Sequence, residues 1–367
     1  MLKRIYIDNF RCLVDFDLSL DEINLFLGPN GSGKSTVFDV LRKIQAFING
    51  GTLSHIFDVD DLSIWQEELV QSFGLEIEGN GGTYKYQLAI EHDKAHYKVN
   101  RVYERLLFND KPLFNVADGQ LRMYLDDHSI NATLPYDTSL PSAFVFSTEQ
   151  YAKIDWFKER MNRFIIVQIN PMMMVGESRR EEALLTAGME NFVSWYRYIY
   201  QDQGKAIEIT NALQEVFDGF QYFKLARAGE KTRLLDLYFS KNNGQHNAIK
   251  YRFSQLSDGD RALIALYTLI HYARFGDYTV CIDEPENFLA LAEIQPWLME
   301  LDDFCGDDKL QALLISHHPD LIDFLAVSSG YWFDREQNTP TRLKRLSEDE
   351  TGGFPISKLV ARGWIHG

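Results

Sequence analysis

The chain has 367 residues, 45% hydrophobic and 25% charged. This is ordinary globular usage, enough for about two domains, and it excludes collagen-like and low-complexity readings. Its 37 basic and 53 acidic residues give a formal charge of −16, which argues against a protein that coats nucleic acid with its whole surface and leaves room only for a local basic groove. The cysteines Cys12, Cys281 and Cys305 are scattered without a Cys-x-x-Cys pair, so a reduced compartment is expected rather than a disulfide scaffold or a cysteine zinc site.

Polar residues interrupt Met1–Asp8 too early for a signal-peptide core. The longest apolar stretch, near Ala262–Ile270, falls short of the ~20 residues that span a bilayer. A cytoplasmic protein without membrane contact is therefore expected. Ile5, Ile7 and Phe10 predict an opening strand. The apolar run Ile23–Leu27 ends at once in a glycine-rich turn, and Val37, Val40, Leu41, Ile44 and Phe47 then follow helical spacing. Residues 23–47 thus read strand, loop, helix. Leu75 and Ile77, then Tyr84, Tyr86, Leu88 and Ile90, alternate with polar residues about Asn80-Gly81-Gly82, predicting a hairpin within an antiparallel sheet. Residues 114–142 carry turn formers and take no assignment. Phe164–Ile169 reads as a buried strand, and residues 178–218 as helical, with Phe192, Trp195, Tyr196 and Ile199 on one face. Leu234–Phe239 alternates as a strand, Ala262–Ala273 is helical, and Tyr278–Ile282, Leu310–Ile315 and Tyr331–Phe333 are further strands. Neither a long heptad tract nor a repeat of 20–50 residues is visible.

Four stretches carry chemistry. Gly28-Pro29-Asn30-Gly31-Ser32-Gly33-Lys34-Ser35-Thr36 matches G-x-x-x-x-G-K-[ST]. In such a loop the glycines let backbone N–H groups approach phosphates, the lysine reaches the β- and γ-phosphates, and the serine can ligate Mg²⁺. The helix behind it directs its positive end at the anion. At Val280-Cys281-Ile282-Asp283-Glu284-Pro285-Glu286 an apolar strand delivers adjacent carboxylates. Successive strand residues point to opposite sides, so Asp283 can serve Mg²⁺ while Glu284 polarises a water. Ser257-Asp258-Gly259-Asp260 opens an apolar helix; it reads either as a helix cap or as an anion site, and both stand. Ser316-His317-His318-Pro319 ends another buried strand, where a histidine can reach a phosphate.

In this order the four stretches resemble the ABC-type ATPase head, in which they are the Walker A, signature, Walker B and switch-histidine motifs. In detail the chain is similar to the RecF/SMC/OLD branch, and most to its compact AAA-family ATPases that lack a coiled coil and a nuclease domain. Asp8-Asn9-Phe10-Arg11, Gly28–Thr36, Leu256–Arg261, Ile282–Asn287, Ser316–Pro319 and the tail Leu359–Gly367 carry the likeness; residues 50–230 match loosely. Where that branch has Gly-Leu-His-Pro after its acidic motif, this chain has Phe288-Leu289-Ala290-Leu291, and Ala290 has no polar group to offer across a dimer.

The resemblance implies an α/β P-loop NTPase of ABC type, with a mixed central sheet, an antiparallel β lobe and an inserted helical region. It implies an N-terminal ATPase lobe over 1–150, a helical insert over 151–230 and a C-terminal lobe over 231–367. It implies ATP and Mg²⁺ as ligands, with Asn30, Gly31, Ser32, Gly33, Lys34, Ser35, Thr36 and Arg11 on the nucleotide, and Ser35, Asp283 and a Q-loop Gln168 (Gln150 as the alternative) at the metal. Glu284, His317 and Lys34 are the implied catalytic set, and Ser257 and Gly259 the implied contribution in trans. A homodimer or higher homo-oligomer through an ATP sandwich follows. The residues after His317 are too few for a nuclease domain, so a nuclease or toxin effector is expected on a separate chain. DNA contact would fall to Arg101/Arg105, Arg160/Arg163 and Arg179/Arg180. The competing readings are a non-hydrolysing nucleotide-dependent scaffold and a transporter's nucleotide-binding subunit; the long stretch between Lys34 and Ser257 argues against the transporter.

Overall fold

The computed structural model describes residues 1–96, 98–125, 127, 129–138, 142–146, 151–240, 248–307, 310–336, 339–347 and 355–361. The chain divides into two compact units, Met1–Phe164 with Ile322–Gly367, and Ile165–Leu321.

The first unit opens with β1 (Leu2–Asp8), β2 (Phe16–Ser19) and β3 (Ile23–Leu27), then α1 (Lys34–Ile48) and the single turn α2 (Leu53–Ile56). β1 ends earlier than Ile5, Ile7 and Phe10 suggest. Asn9 and Arg11 take left-handed backbone at φ 59° and 49°, which turns the chain and leaves Phe10 to isolated bridges with Leu13 and Leu62. There follow β4 (Val70–Gly79), β5 (Gly82–Asp93), β6 (Lys98–Phe108), β7 (Lys111–Ala117), β8 (Gln120–Tyr124), β9 (Ile130–Pro135) and α3 (Ala152–Asn162). These strands form an eight-stranded antiparallel sheet in the order β2-β1-β4-β5-β6-β7-β8-β9. The unassigned stretch 114–142 supplies the far side of this sheet.

The inner face of the sheet is aromatic. Tyr84 stacks on Trp156, and Tyr86, Phe114, Phe144 and Phe157 meet around it. Arg101 and Glu104 are buried beside these rings as an ion pair at 3.1 Å. Tyr86, Ser142 and the Ala143 amide donate to the Glu104 carboxylate. Burial pushes the Glu104 pKa up even against Arg101 and those donors.

The second unit begins in β10 (Phe164–Val167) and continues with β11 (Glu177–Ser178), α4 (Phe192–Ile199), α5 (Gln203–Val216), β12 (Phe220–Arg227), β13 (Arg233–Phe239), β14 (Ile249–Arg252), α6 (Asp258–Ala273), β15 (Thr279–Asp283), α7 (Leu291–Asp307) and β16 (Gln311–Ile315). Residues 179–191 are not helical, contrary to the expectation over 178–218. Asn191 there bonds Thr186 N and Leu184 O, so a polar side chain satisfies main chain that a helix would otherwise pair. β15 and β16 are fully buried and pair in parallel from Thr279↔Gln311 to Asp283↔Ile315. β12, β13 and β14 form an antiparallel sheet with β11 on β13.

The chain then returns to the first unit through α8 (Pro319–Ser329), β17 (Gly330–Asp334), β18 (Arg342–Arg345) and α9 (Ile356–Ala361). β17 pairs in parallel with β3 and antiparallel with β18. Parallel and antiparallel pairing therefore meet on one strand. The tail beyond Ala361 lies outside the described residues. No helix among the described residues is long and apolar enough to cross a membrane.

Candidate nucleotide site

β3 delivers the chain into Gly28–Gly33, and α1 starts at Lys34. Gly28, Gly31 and Gly33 adopt φ of 139°, 77° and 103°, values that side-chain-bearing residues rarely take. A Cβ on Gly28 would sit 2.1 Å from the Phe333 carbonyl oxygen, and one on Gly33 2.9 Å from both Cys12 Sγ and Thr341 Oγ1. The loop is therefore pressed between β17, the turn after β1 and the segment before β18.

Lys34 is buried and its Nζ donates to the Gly28 and Pro29 carbonyls at 2.7 and 2.9 Å. This folds the ammonium back over the loop it would serve. Gly33 provides α1 with no side-chain cap, so the first-turn amides of the helix are not covered by a capping oxygen. Ser32 Oγ is buried without a hydrogen-bond partner. A wound glycine loop, an uncapped helix start and an unsatisfied hydroxyl fit a phosphate group. Ser35 is exposed on the first turn and Thr36 half-buried behind it.

Two side chains without any sequence signal hold this loop. Thr341 Oγ1 donates to Ser32 O at 2.8 Å, and Arg335 Nη1 to Gly31 O at 3.0 Å. Arg11 lies against Asp39 Oδ2 and Asp61 Oδ1 at 2.9 and 2.8 Å, which makes it a brace between α1 and the Asp58–Asp61 turn. Lys43 adds a contact to Asp61 at 3.0 Å. Burial alone would raise the Asp61 pKa, but Lys43, the backbone N–H donor of Asp58 and Arg11 together hold it below the usual aspartate value.

In the second unit Asp283 closes β15, buried, and Glu284 follows with φ 52°. That left-handed turn is costly for a side-chain-bearing residue, and Glu284 N–H donates to Ile315 O at 2.8 Å. The Glu284 carboxylate accepts from Asn287 Nδ2 at 2.7 Å and faces His317 Nε2 at 3.9 Å. Glu286 Oε1 accepts from Ser316 Oγ at 2.7 Å and from His317 N–H at 3.1 Å. The ends of β15 and β16 are thus tied by Glu286, and Glu284 and His317 meet at the tie.

Ser257 caps α6 in a reciprocal box: its Oγ accepts from Asp260 N–H at 3.1 Å and donates to Asp260 Oδ2 at 2.7 Å. A Cβ on Gly259 would lie 3.0 Å from the Phe288 carbonyl, so the signature turn packs against the segment that follows Glu284. Ala290 is exposed, and its N–H donates to Glu293 at 2.7 Å. Gln168 is exposed one position past β10, its N–H bonded to Ala187 O at 2.8 Å. Gln150 lies outside the described residues.

The structure therefore gathers Asn30–Thr36 in the first unit, and Glu284 with His317, and Ser257 with Gly259, in the second. Ser35 and Asp283 carry the hard oxygen donors that suit Mg²⁺. The arginines of the expected basic clusters differ in their surroundings. Arg101 and Arg160 are buried, Arg160 against the Phe164 ring, while Arg105 bonds Gln87 and Arg179 and Arg180 pair with Glu177 and Glu182.

Comparison with known proteins bears on the family and the fold. Residues 1–128 match the AAA ATPase domain family. Over 37 residues the chain is 54% identical to an OLD nuclease of Thermus scotoductus, a match spanning 10% of this chain and 7% of that protein. An SMC head bound to the C-terminal winged-helix domain of ScpA superposes with a TM-score of 0.55 at 10% identity, covering 95% of this chain and 99% of that one. An Smc head domain with an extended coiled coil, bound to the C-terminal domain of ScpA derived from Pyrococcus furiosus, gives 0.53 at 11% identity, covering 99% of each. The fold is thereby defined: like the SMC heads, the chain has a mixed α/β P-loop fold with a large antiparallel sheet. Within that fold its N-terminal third is similar to the AAA ATPase domain.

Proposed function

We propose that this chain is a cytoplasmic ATP-binding and ATP-hydrolysing head that dimerises around Mg²⁺–ATP and governs a separate effector in a DNA-maintenance or phage-defence complex. The observation that carries hydrolysis is the pairing of Glu284 with His317 on the joined ends of β15 and β16. Glu284 is the general base. Its carboxylate takes a proton from water as the water oxygen bonds the γ-phosphorus, and the bond to the β-phosphate oxygen breaks with its electron pair leaving on ADP. His317 orients that carboxylate and senses the γ-phosphate. Lys34 and the loop amides stabilise the phosphate charge. Bound Mg²⁺ neutralises phosphate oxygens, and Ser35 and Asp283 are the residues that would hold it, with Gln168 as the added Q-loop group.

In the dimer, Ser257 and Gly259 of one copy face Gly28–Ser35 of the other, and loss of the γ-phosphate releases the pair. The match to an OLD nuclease supports an effector of nuclease kind, and the ScpA-bound SMC heads support a protein partner. Wild type is expected to turn over ATP. Glu284→Gln should lower turnover about 100-fold or more and elute with Mg²⁺–ATP as a dimer or larger species. Ala290 favours a second reading, the non-hydrolysing scaffold, because an exposed methyl group carries no polar contact. ATP binding without turnover in wild type, and one size for both proteins, selects that scaffold and overturns the first reading.

A further inference from the structure

We propose that the open face of the β12–β13–β14 sheet binds single-stranded nucleic acid, with preference for bases bearing an exocyclic amino group. The proposal does not depend on the ATPase reading. It starts from the register. Tyr222 opposes Tyr238, which opposes Lys250; two positions along, Lys224 opposes Asp236, which opposes Arg252. Residues directly opposed across antiparallel strands share a face, as do residues two apart on a strand. Tyr222, Tyr238, Lys250, Lys224, Asp236 and Arg252 therefore form one two-row array. The opposite face is the packing face, where Phe223, Leu235 and Leu237 are buried and Phe223 meets Tyr196 of α4.

The array is locally basic in an acidic chain. Three cations surround one carboxylate in a protein of net charge −16. The tyrosine rings stack with centroids 4.8 Å apart and planes 13° from parallel, and Lys224 Nζ lies 5.9 Å from the Tyr238 ring. Tyr222 is nevertheless 44% exposed, so the stack is accessible from solvent. A flat ring held by a second ring is an ordered platform on which a base can stack, and lysine and arginine beside it can follow a phosphate backbone.

Asp236 supplies the selectivity. It is 2% exposed, although it lies on the open face. Its Oδ2 pairs with Lys250 at 3.4 Å, while Oδ1 has no hydrogen-bond partner. A buried acceptor left unsatisfied is costly. In register it lies between Lys224 and Arg252, and the amino group of a stacked base that reached Oδ1 would satisfy it, as carboxylates do for the cytosine amine. An acidic peptide would meet the cations equally well but would use neither the tyrosine platform nor the free acceptor.

The test is fluorescence anisotropy of the full chain, without nucleotide, against labelled oligodeoxycytidylate, oligodeoxythymidylate, a duplex of equal length and polyglutamate. Oligodeoxycytidylate should bind tightest, and its affinity should fall steeply with salt. Tyr222→Ala, at an exposed position, should weaken it about 10-fold. Lys224→Ala and Lys250→Ala should each reduce the slope of log affinity against log salt by about 0.7. Asp236→Asn should abolish the preference for cytidylate over thymidylate. Absence of binding at low salt, equal or tighter binding of duplex or polyglutamate, or indifference to Tyr222→Ala together with an unchanged salt slope in both lysine variants overturns the proposal. The ATP turnover and sizing measurements read a different part of the chain, so either proposal can fail alone.

Discussion

Asp61 does more for the nucleotide loop than its distance from any phosphate chemistry suggests. It gathers Arg11, Lys43 and the main chain of its own turn, and Arg11 in turn reaches Asp39 on α1. Its native pKa is held below the ordinary aspartate value of ~3.9. For a depressed carboxylate the stabilisation is present above the ordinary value and is lost as pH falls through the native one. Asp61→Asn should therefore lower stability near neutral pH by about 1 kcal/mol, the scale of an ion pair with a half-exposed arginine. The difference from wild type in denaturant midpoint should shrink below about pH 4. A difference that is constant with pH would place the contribution in packing rather than in charge. Residue by residue, the motif side chains were legible because each belongs to a short pattern with its own chemistry. Thr341 and Arg335 were not: they act on the loop through contacts that no local spacing encodes. Glu286 stood in the acidic stretch, but its tie to Ser316, 30 positions on, did not show there.

At the scale of elements, Ser257 caps α6 and, in the proposed dimer, would also donate to a phosphate, and the two roles can be separated. As a cap, Ser257 stabilises α6 by about 1 kcal/mol, a contribution that aspartate reproduces and alanine does not. As a phosphate donor in trans, its hydroxyl is required and aspartate repels the ligand. Ser257→Ala should lose stability and ATP turnover, whereas Ser257→Asp should regain stability and still lose turnover. Recovery of both in the aspartate variant would leave only the cap. The same distinction explains what sequence shows of elements. α1 carries helical periodicity because one of its faces is buried, whereas β3, β15 and the body of α6 stand out as continuous apolar runs because they are buried all round. β9 is exposed along nearly its whole length, so no alternation marks it. It is a strand because β8 pairs with it. The stretch 179–191 carries apolar residues but is shaped by side-chain bonds to its own main chain.

For the molecule as a whole, the loop that reads as the N-terminal signature is finished by residues from the far end of the sequence. β3 takes β17 as a parallel neighbour, and Thr341 and Arg335 hold the Ser32 and Gly31 carbonyls. Thr341→Val keeps the side-chain shape but removes the donor. It should weaken ATP binding about five-fold, consistent with one lost hydrogen bond of ~1 kcal/mol, with little change in melting temperature. Unchanged affinity in a titration calorimeter would show that the loop holds its form without the clasp.

This clasp also sets a clock on biosynthesis. The residues that shape the phosphate loop are more than 300 positions away from it, so a ribosome must carry synthesis past Thr341 before the loop can close. Until then Gly28–Thr36 has neither β17 beside it nor its carbonyls held. A nascent chain halted before Arg335 should not be retained by ATP-agarose, while a chain extended through β18 and released should be. The nucleotide then reports that synthesis has passed Thr341, binding chains that carry the clasp and passing over shorter fragments.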